Sequence, residues 1–223
     1  MHSARKHFDD LLGELKERVM EMGVRAEKMV SDAVTALIRK DEALAREIIE
    51  ADSVLDEMEL EIQSTSMVLI AREAPVGRDV RFIGSAMSIS TELERVGDDA
   101  VSIGKKGISL PTDFPPEYAP DLTELSEKAR AMLLDALRAF SRNDTYLLDQ
   151  IIAADAGVDL IWKRVRRRLK QDMRDDPEFV DAGFKLIQAF HHLEYVGDHA
   201  VSIAERLEFV RTGNLVRFNR ATF

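Results

Sequence analysis

Leu93-Glu94-Arg95-Val96-Gly97-Asp98-Asp99-Ala100-Val101-Ser102-Ile103 returns, 100 residues later, as Leu193-Glu194-Tyr195-Val196-Gly197-Asp198-His199-Ala200-Val201-Ser202-Ile203. Nine of the eleven positions are identical. A repeat of this length and period marks a chain built from two copies of one structural unit. Within the block, Leu93, Val96, Ala100 and Ile103 fall at i, i+3, i+7 and i+10, the buried stripe of an amphipathic helix. Glu94 and Asp98 sit one step round, about 100° from that stripe. Their spacing of four puts both charges on one side of the helix, at the border between core and solvent. Gly97 costs about 1 kcal/mol relative to Ala in a helix interior, and its return as Gly197 points to close packing beside the carboxylates.

The same plan extends outward in both halves. Leu11, Leu12, Leu15, Val19, Met22, Ala26, Met29, Val30, Ala33 and Leu37 keep helical spacing over about residues 5–39. Arg39-Lys40 is a basic helix end, and Asp41 follows as an N-cap. A second helix runs to about Glu73, where Pro75 and Gly77 break it, and a third from about Arg78 to Gly107. Residues Ser109–Pro120 hold four of the six prolines and read as a linker. Three more helices follow, over about 121–141, 145–174 and 178–211, with breaks and caps at Asn143-Asp144 and Asp175-Asp176-Pro177. Ile48-Ile49-Glu50-Ala51-Asp52 corresponds to Ile151-Ile152-Ala153-Ala154-Asp155, and Asp56 to Asp159, at an offset of 103. No stretch alternates with the period of a strand. The reading is an all-α chain of two tandem, similar three-helix bundles. The first covers 1–108, the Pro-rich linker 109–120, the second bundle 121–212 and a C-terminal tail 213–223.

Composition narrows the function. A formal net charge of −10 weighs against nonspecific binding to nucleic acid or to an anionic membrane. With no cysteine, thiolate metal sites and cysteine nucleophiles are excluded, in keeping with a reducing cytoplasm. Residues 1–12 show no secretory leader, and the longest compact apolar run, Met67–Ala71, cannot span a bilayer. Membrane association would go through a partner.

Each half carries two i, i+4 carboxylate pairs: Asp52/Asp56 with Glu94/Asp98, and Asp155/Asp159 with Glu194/Asp198. Such pairs are unfavourable by roughly 0.2–0.5 kcal/mol on an open helix, and more when half-buried. Solvation, arginines such as Arg72, Arg81 or Arg95, or a metal ion could compensate. Oxygen donors suit Mg²⁺, Mn²⁺, Ca²⁺ or Fe³⁺, with zinc entering where His199 joins. His191 and His192 read as packing or surface residues, and Trp162 and the methionines as core. The basic run Lys163–Lys170 reads as a solvated surface wrapped around most of its helix, with a docking patch for an acidic partner as the alternative. Gly-x-Ser-x-Gly, a phosphate-binding glycine loop, His-Glu-x-x-His and Glu-x-x-His are all absent. That argues against a metal-dependent helical-bundle enzyme, the rival class, which needs an open coordination position and a general base. A helical adaptor with ion-paired carboxylates is the other alternative.

The two copies of the opening block resemble the duplicated signature of the PhoU family of phosphate-transport regulators. Arg39-Lys40-Asp41, Asp52 through Glu59 and Pro75-Val76-Gly77-Arg78-Asp79-Val80-Arg81 resemble it too, so the likeness spans about residues 5–210. The resemblance implies two similar three-helix bundles. It implies metal ions (Fe, Mn, Mg or Zn, in multinuclear clusters) at Asp52, Asp56, Glu94 and Asp98 and at Asp155, Asp159, Glu194 and Asp198. It also implies a non-enzymatic, cytoplasmic negative regulator of phosphate uptake and of the phosphate-starvation response. Its partners would be the ATPase subunit of the phosphate ABC transporter and a membrane sensor histidine kinase, and it would form a homodimer. The chain departs from the family pattern at Asp99, where His is usual, at Ser102 and Ser202, where Asn is usual, and at Tyr195, where Arg is usual.

Overall fold

A computed structural model describes residues 2–142, 144 and 146–218, with side chains from residue 5 onward. Six long helices carry the chain: α1 His2–Arg39, α2 Glu42–Glu73, α3 Arg78–Ser109, α4 Ala119–Arg142, α5 Tyr146–Asp175 and α6 Val180–Thr212. No strand occurs among the described residues. The breaks fall close to where the sequence places them, for local reasons. Lys40 turns into the left-handed region at φ 53°. Asp41 then caps α2, its carboxylate accepting from the Leu44 N–H at 3.0 Å. Ala74 (φ 46°) and Gly77 (φ 60°) turn the chain from α2 into α3. Asp144 accepts from the Tyr146 N–H at the start of α5, while Asn143 and Thr145, read as part of the same break and helix start, lie outside the described residues. Gly213 ends α6 at φ 79°.

The proline-rich segment is packed rather than a loose spacer. Leu110 and Phe114 are buried, and Pro116–Tyr118 forms a 3₁₀ turn whose Tyr118 ring is wholly enclosed. α4 then begins at Ala119, earlier than the residue 121 expected from the prolines, because Pro120 is tolerated in a first helical turn. A second 3₁₀ turn, Pro177–Phe179, delays α6 to Val180.

α1, α2 and α3 pack on one another, as do α4, α5 and α6. The two bundles meet through α3 against α6 and α1 against α4, leaving α2 and α5 on the outer flanks. One continuous core runs through both bundles. The central seam obeys a pseudo-twofold axis. On α3 and α6 the contacts are antiparallel: Arg81 with Val210, Ser85 with Arg206, Glu92 with His199, and Asp99 with His192. On α1 and α4, Glu27 pairs with Arg130, its own counterpart at offset 103, at 2.6 Å. Identical residues at these axis positions would set like charges against each other. The copies have diverged so that an acid of the first meets a base of the second.

Candidate functional site

The four predicted carboxylates of the first half come from the facing surfaces of α2 and α3. Asp52 and Asp56 stand on α2, Glu94 and Asp98 on α3. The helices approach closely where Gly97 lies, since a Cβ there would be 2.5 Å from Leu55 Cδ1 and 3.4 Å from Asp52 Oδ1. A fifth carboxylate joins them. Glu59, at i+7 from Asp52, accepts a 2.7 Å hydrogen bond from Thr91 Oγ1 of α3. The cluster is electrostatically strained. Burial, then the charges of Asp98, Glu59, Asp56 and Asp52, push the Glu94 carboxyl up to about 7. Burial, then Asp98 and Asp56, raises Asp52 as well, against a smaller opposing pull from Lys105. Two of the arginines considered as compensating partners are engaged elsewhere: Arg95 pairs with Glu92, and Arg81 donates to the Val210 carbonyl.

The second half keeps the predicted carboxylates but changes their surroundings. Asp155 and Asp159 stand on α5, Glu194 and Asp198 on α6. Asp155 is buried. Lys163 Nζ lies 3.3 Å from Asp159, and His191 Nε2 lies 3.6 Å from Glu194. Trp162 stands at the position equivalent to Glu59 and stacks on His191 at 5.0 Å, which in turn lies 4.2 Å from the Tyr195 ring. His191 is therefore a packing residue. Trp162 is core, as expected. The first half thus holds an all-carboxylate cluster, whereas the second surrounds its carboxylates with aromatic and cationic groups.

Sequence reasoning missed Glu59 because it sought residues that recur, and the repeat replaces Glu59 with Trp162. The i, i+4, i+7 run of Asp52, Asp56 and Glu59 was the available signal. Among the described residues, no group of three or more His, Asp or Glu side chains is arranged to hold a metal ion as it stands. The donor chemistry of the first cluster fits a hard cation, with oxygen ligands only and mutual repulsion for a cation to relieve. Its side chains would have to rotate inward to close on one.

Asp99, His192, His199 and Glu92 form a separate network on the seam. His192 Nδ1 lies 2.8 Å from Asp99, and His199 Nδ1 lies 2.7 Å from Glu92. His199 Nε2 is 3.4 Å from the second Asp99 oxygen. Burial alone would lower His199, but its hydrogen bonds to Asp99 and Glu92 push it up to about 9. Burial would raise Glu92, and the hydrogen bond and charge of His199 overcome this and lower it. His199 is thus spent on the seam rather than offered to the carboxylate cluster.

The sequence model of the PhoU domain matches this chain twice, over residues 19–106 and 122–207, one match on each bundle. The chain belongs to the PhoU family. It is 34% identical over 218 residues to the phosphate-specific transport system accessory protein PhoU homolog of Pseudomonas putida, covering 97% of this chain and 85% of that protein. The homolog of the same name from Rhizobium meliloti is 34% identical over 207 residues, covering 92% of this chain and 87% of its own. Among solved structures, PhoU from Pseudomonas aeruginosa superposes with a TM-score of 0.88 at 32% identity, covering 93% of this chain and all of that one. The phosphate transport system regulatory protein PhoU from Streptococcus pneumoniae also gives 0.88, at 29% identity. The PhoU fold therefore extends across both bundles and the seam between them. No helix among the described residues is long and apolar enough to cross a membrane.

Proposed function

We propose that this chain is a non-enzymatic accessory protein of a phosphate-specific transport system, acting in the cytoplasm to restrain phosphate uptake and phosphate-starvation signalling. The observation that carries this reading is the doubled PhoU match, which leaves neither bundle unassigned and accompanies relatives named as accessory proteins of phosphate transport. Partners of that role are the ATPase subunit of the phosphate ABC transporter, a membrane sensor histidine kinase and a second copy of the chain in a homodimer. The bundles over 1–108 and 121–212, joined through 109–120, are its working units. The test is complementation. In a bacterium deleted for its own homolog, expression of this chain is expected to lower uptake of radiolabelled phosphate at high external phosphate. Unchanged uptake with normal expression would sink the reading.

Metal binding is the finer part of the proposal, and the unequal surroundings give it a direction. The first cluster, Asp52, Asp56, Glu59, Glu94 and Asp98, is the site that gains from a multivalent cation. The second, Asp155, Asp159, Glu194 and Asp198, is already partly neutralised by Lys163. The Lys163–Asp159 pair favours a second reading for that half, a helical adaptor without metal. Elemental analysis after incubation with Mn²⁺ or Fe³⁺ is expected to find metal that Asp98→Asn removes and Asp198→Asn largely retains. Equal retention in both variants would show that neither carboxylate is needed to hold metal.

A further inference from the structure

The basic run on α5 does not wrap the helix evenly. Arg164 pairs with Asp121 and Glu124 of α4, and Arg168 lies 3.8 Å from both Asp121 and Asp172 while covering the Tyr118 ring. These two hold the second bundle together. Lys163, Arg166, Arg167 and Lys170 instead fall at i, i+3, i+4 and i+7, turn outward and line a shallow concavity of about 310 Å³. Among the described residues, no carboxylate lies within ion-pair distance of Arg166, Arg167 or Lys170, whereas Lys163 reaches Asp159. The first copy shows that the fold does not require this stripe. The equivalent positions of α2 are Leu60, Gln63, Ser64 and Met67, none of them charged.

The neighbouring surface of α6 has diverged in step. Phe184, His191 and Tyr195 stand on one side of that helix, where the first copy has Gly84, Thr91 and Arg95. A Cβ on Gly84 would meet nothing within 4 Å. Phe184, its counterpart, is 58% exposed, and Tyr195 is 38% exposed. Arg166 is held 5.9 Å over the Trp162 ring, which also stacks on His191, and His191 in turn meets the Tyr195 ring, so this cation and these three rings are in contact.

We propose that the outer face of α5 and α6, built from Lys163, Arg166, Arg167 and Lys170 beside Phe184 and Tyr195, docks an acidic amphipathic helix of a partner protein. The stripe runs over eight residues, from Lys163 to Lys170, about 10 Å of helix between its ends, which suits two turns of a helix carrying carboxylates at the same i, i+3, i+4 and i+7 spacing. The aromatic side offers an apolar ledge to the next face of that helix. Positive charge confined to so short a stripe on a chain of net charge −10 attracts a local carboxylate ridge. It does not favour an extended polyanion or an anionic bilayer, which would also meet the rest of the surface. This docking role goes beyond the accessory role proposed above; Lys163 is shared with the Asp159 pair, while Arg166, Arg167 and Lys170 stand apart from the carboxylate clusters.

The test is fluorescence anisotropy with the full chain and a labelled synthetic amphipathic peptide, glutamates at i, i+3, i+4 and i+7 and leucines on the adjoining face. A scrambled peptide of the same composition, a single-stranded RNA and phosphatidylglycerol vesicles serve as competitors. The helical peptide is expected to bind in preference to all three, with affinity falling as salt rises. Arg166→Glu/Arg167→Glu/Lys170→Glu is expected to weaken it roughly tenfold or more. Phe184→Ala is expected to weaken it roughly fivefold with an unchanged salt slope. Arg46→Glu/Arg72→Glu/Arg138→Glu, the same charge change elsewhere on the surface, is expected to have little effect. Absent binding, equal binding of the scrambled peptide, or equal losses in the two triple variants would overturn the proposal. Tighter binding of RNA or vesicles through the same residues would replace it with a polyanion or lipid surface.

Discussion

Gly97 and Gly197 occupy the same place in the repeat but not the same space. A methyl at 97 would run into Leu55, which is fully buried and has little room to yield, whereas at 197 it would rest 3.4 Å from Val158 Cγ1 and 3.8 Å from Met132. Alanine gains about 1 kcal/mol over glycine in a helix interior, and overpacking a core costs about 1–3 kcal/mol. Gly197→Ala is therefore expected to be neutral or mildly stabilising, and Gly97→Ala destabilising by about 1 kcal/mol, read from urea unfolding midpoints. The carboxylates beside Gly97 allow a second prediction at this scale. Asp98 is the strongest of the charges acting on Glu94, so in metal-free protein Asp98→Asn should stabilise by roughly 0.2–0.5 kcal/mol. If Asp98 were instead one member of a favourable ion pair, the same variant would lower the melting temperature. Of this cluster, the sequence showed the recurring four carboxylates. Glu59 was marked only by its i+7 spacing from Asp52, because the second copy replaces it with Trp162.

At the scale of the element, the helices were legible and their pairing was not. Apolar periodicity, Asp41, Pro75 and Pro177 marked where the six helices run, because those signals act within a few residues of chain. Which faces of α3 and α6 meet depends on residues about a hundred positions apart. Alignment of the copies sets Asp99 against His199 in sequence but says nothing of contact, and in the fold the pairs run Glu92 to His199 and Asp99 to His192. This seam sets a pH dependence. His199 faces Glu92 and Asp99 of α3, with His192 on its own helix and Arg95 and Arg206 acting on Glu92. Its folded value of about 9 lies above the ordinary 6.5. The stability it contributes is thus fully present below about pH 6.5 and is lost as pH rises through 9. Glu92, lowered from 4.5, contributes in the other sense, fully above its ordinary value and losing its share as pH falls. The melting temperature of metal-free protein should fall between pH 7 and 10, and His199→Gln should flatten that fall. An equally steep fall in the variant would assign it to other groups.

The whole molecule is two repeats that share one core, and that has a consequence for how it unfolds. Phe82 of α3 stacks on Phe140 of α4 at 5.3 Å, and Gly23 of α1 lies so close to Leu137 of α4 that a Cβ would be 2.4 Å from its Cδ2. Lys16 donates to the Ser141 carbonyl at 3.2 Å, and Arg81 to that of Val210. These contacts bury the inner faces of α1, α3, α4 and α6, so a bundle that opened alone would expose its partner's apolar surface to water, at roughly 25 cal/mol per Å². That penalty couples the halves even though each has its own three helices. Trp162, the single tryptophan, sits in the second bundle, so its fluorescence follows that half while far-ultraviolet circular dichroism follows both. The two signals are expected to trace one coincident urea transition. Phe82→Ala, which removes an aromatic ring of the first bundle from the seam, is expected to shift the Trp162 transition of the second by about as much as the dichroism. A dichroism curve that splits while the fluorescence midpoint stays fixed would mean that the bundles fold independently and that the seam only docks them.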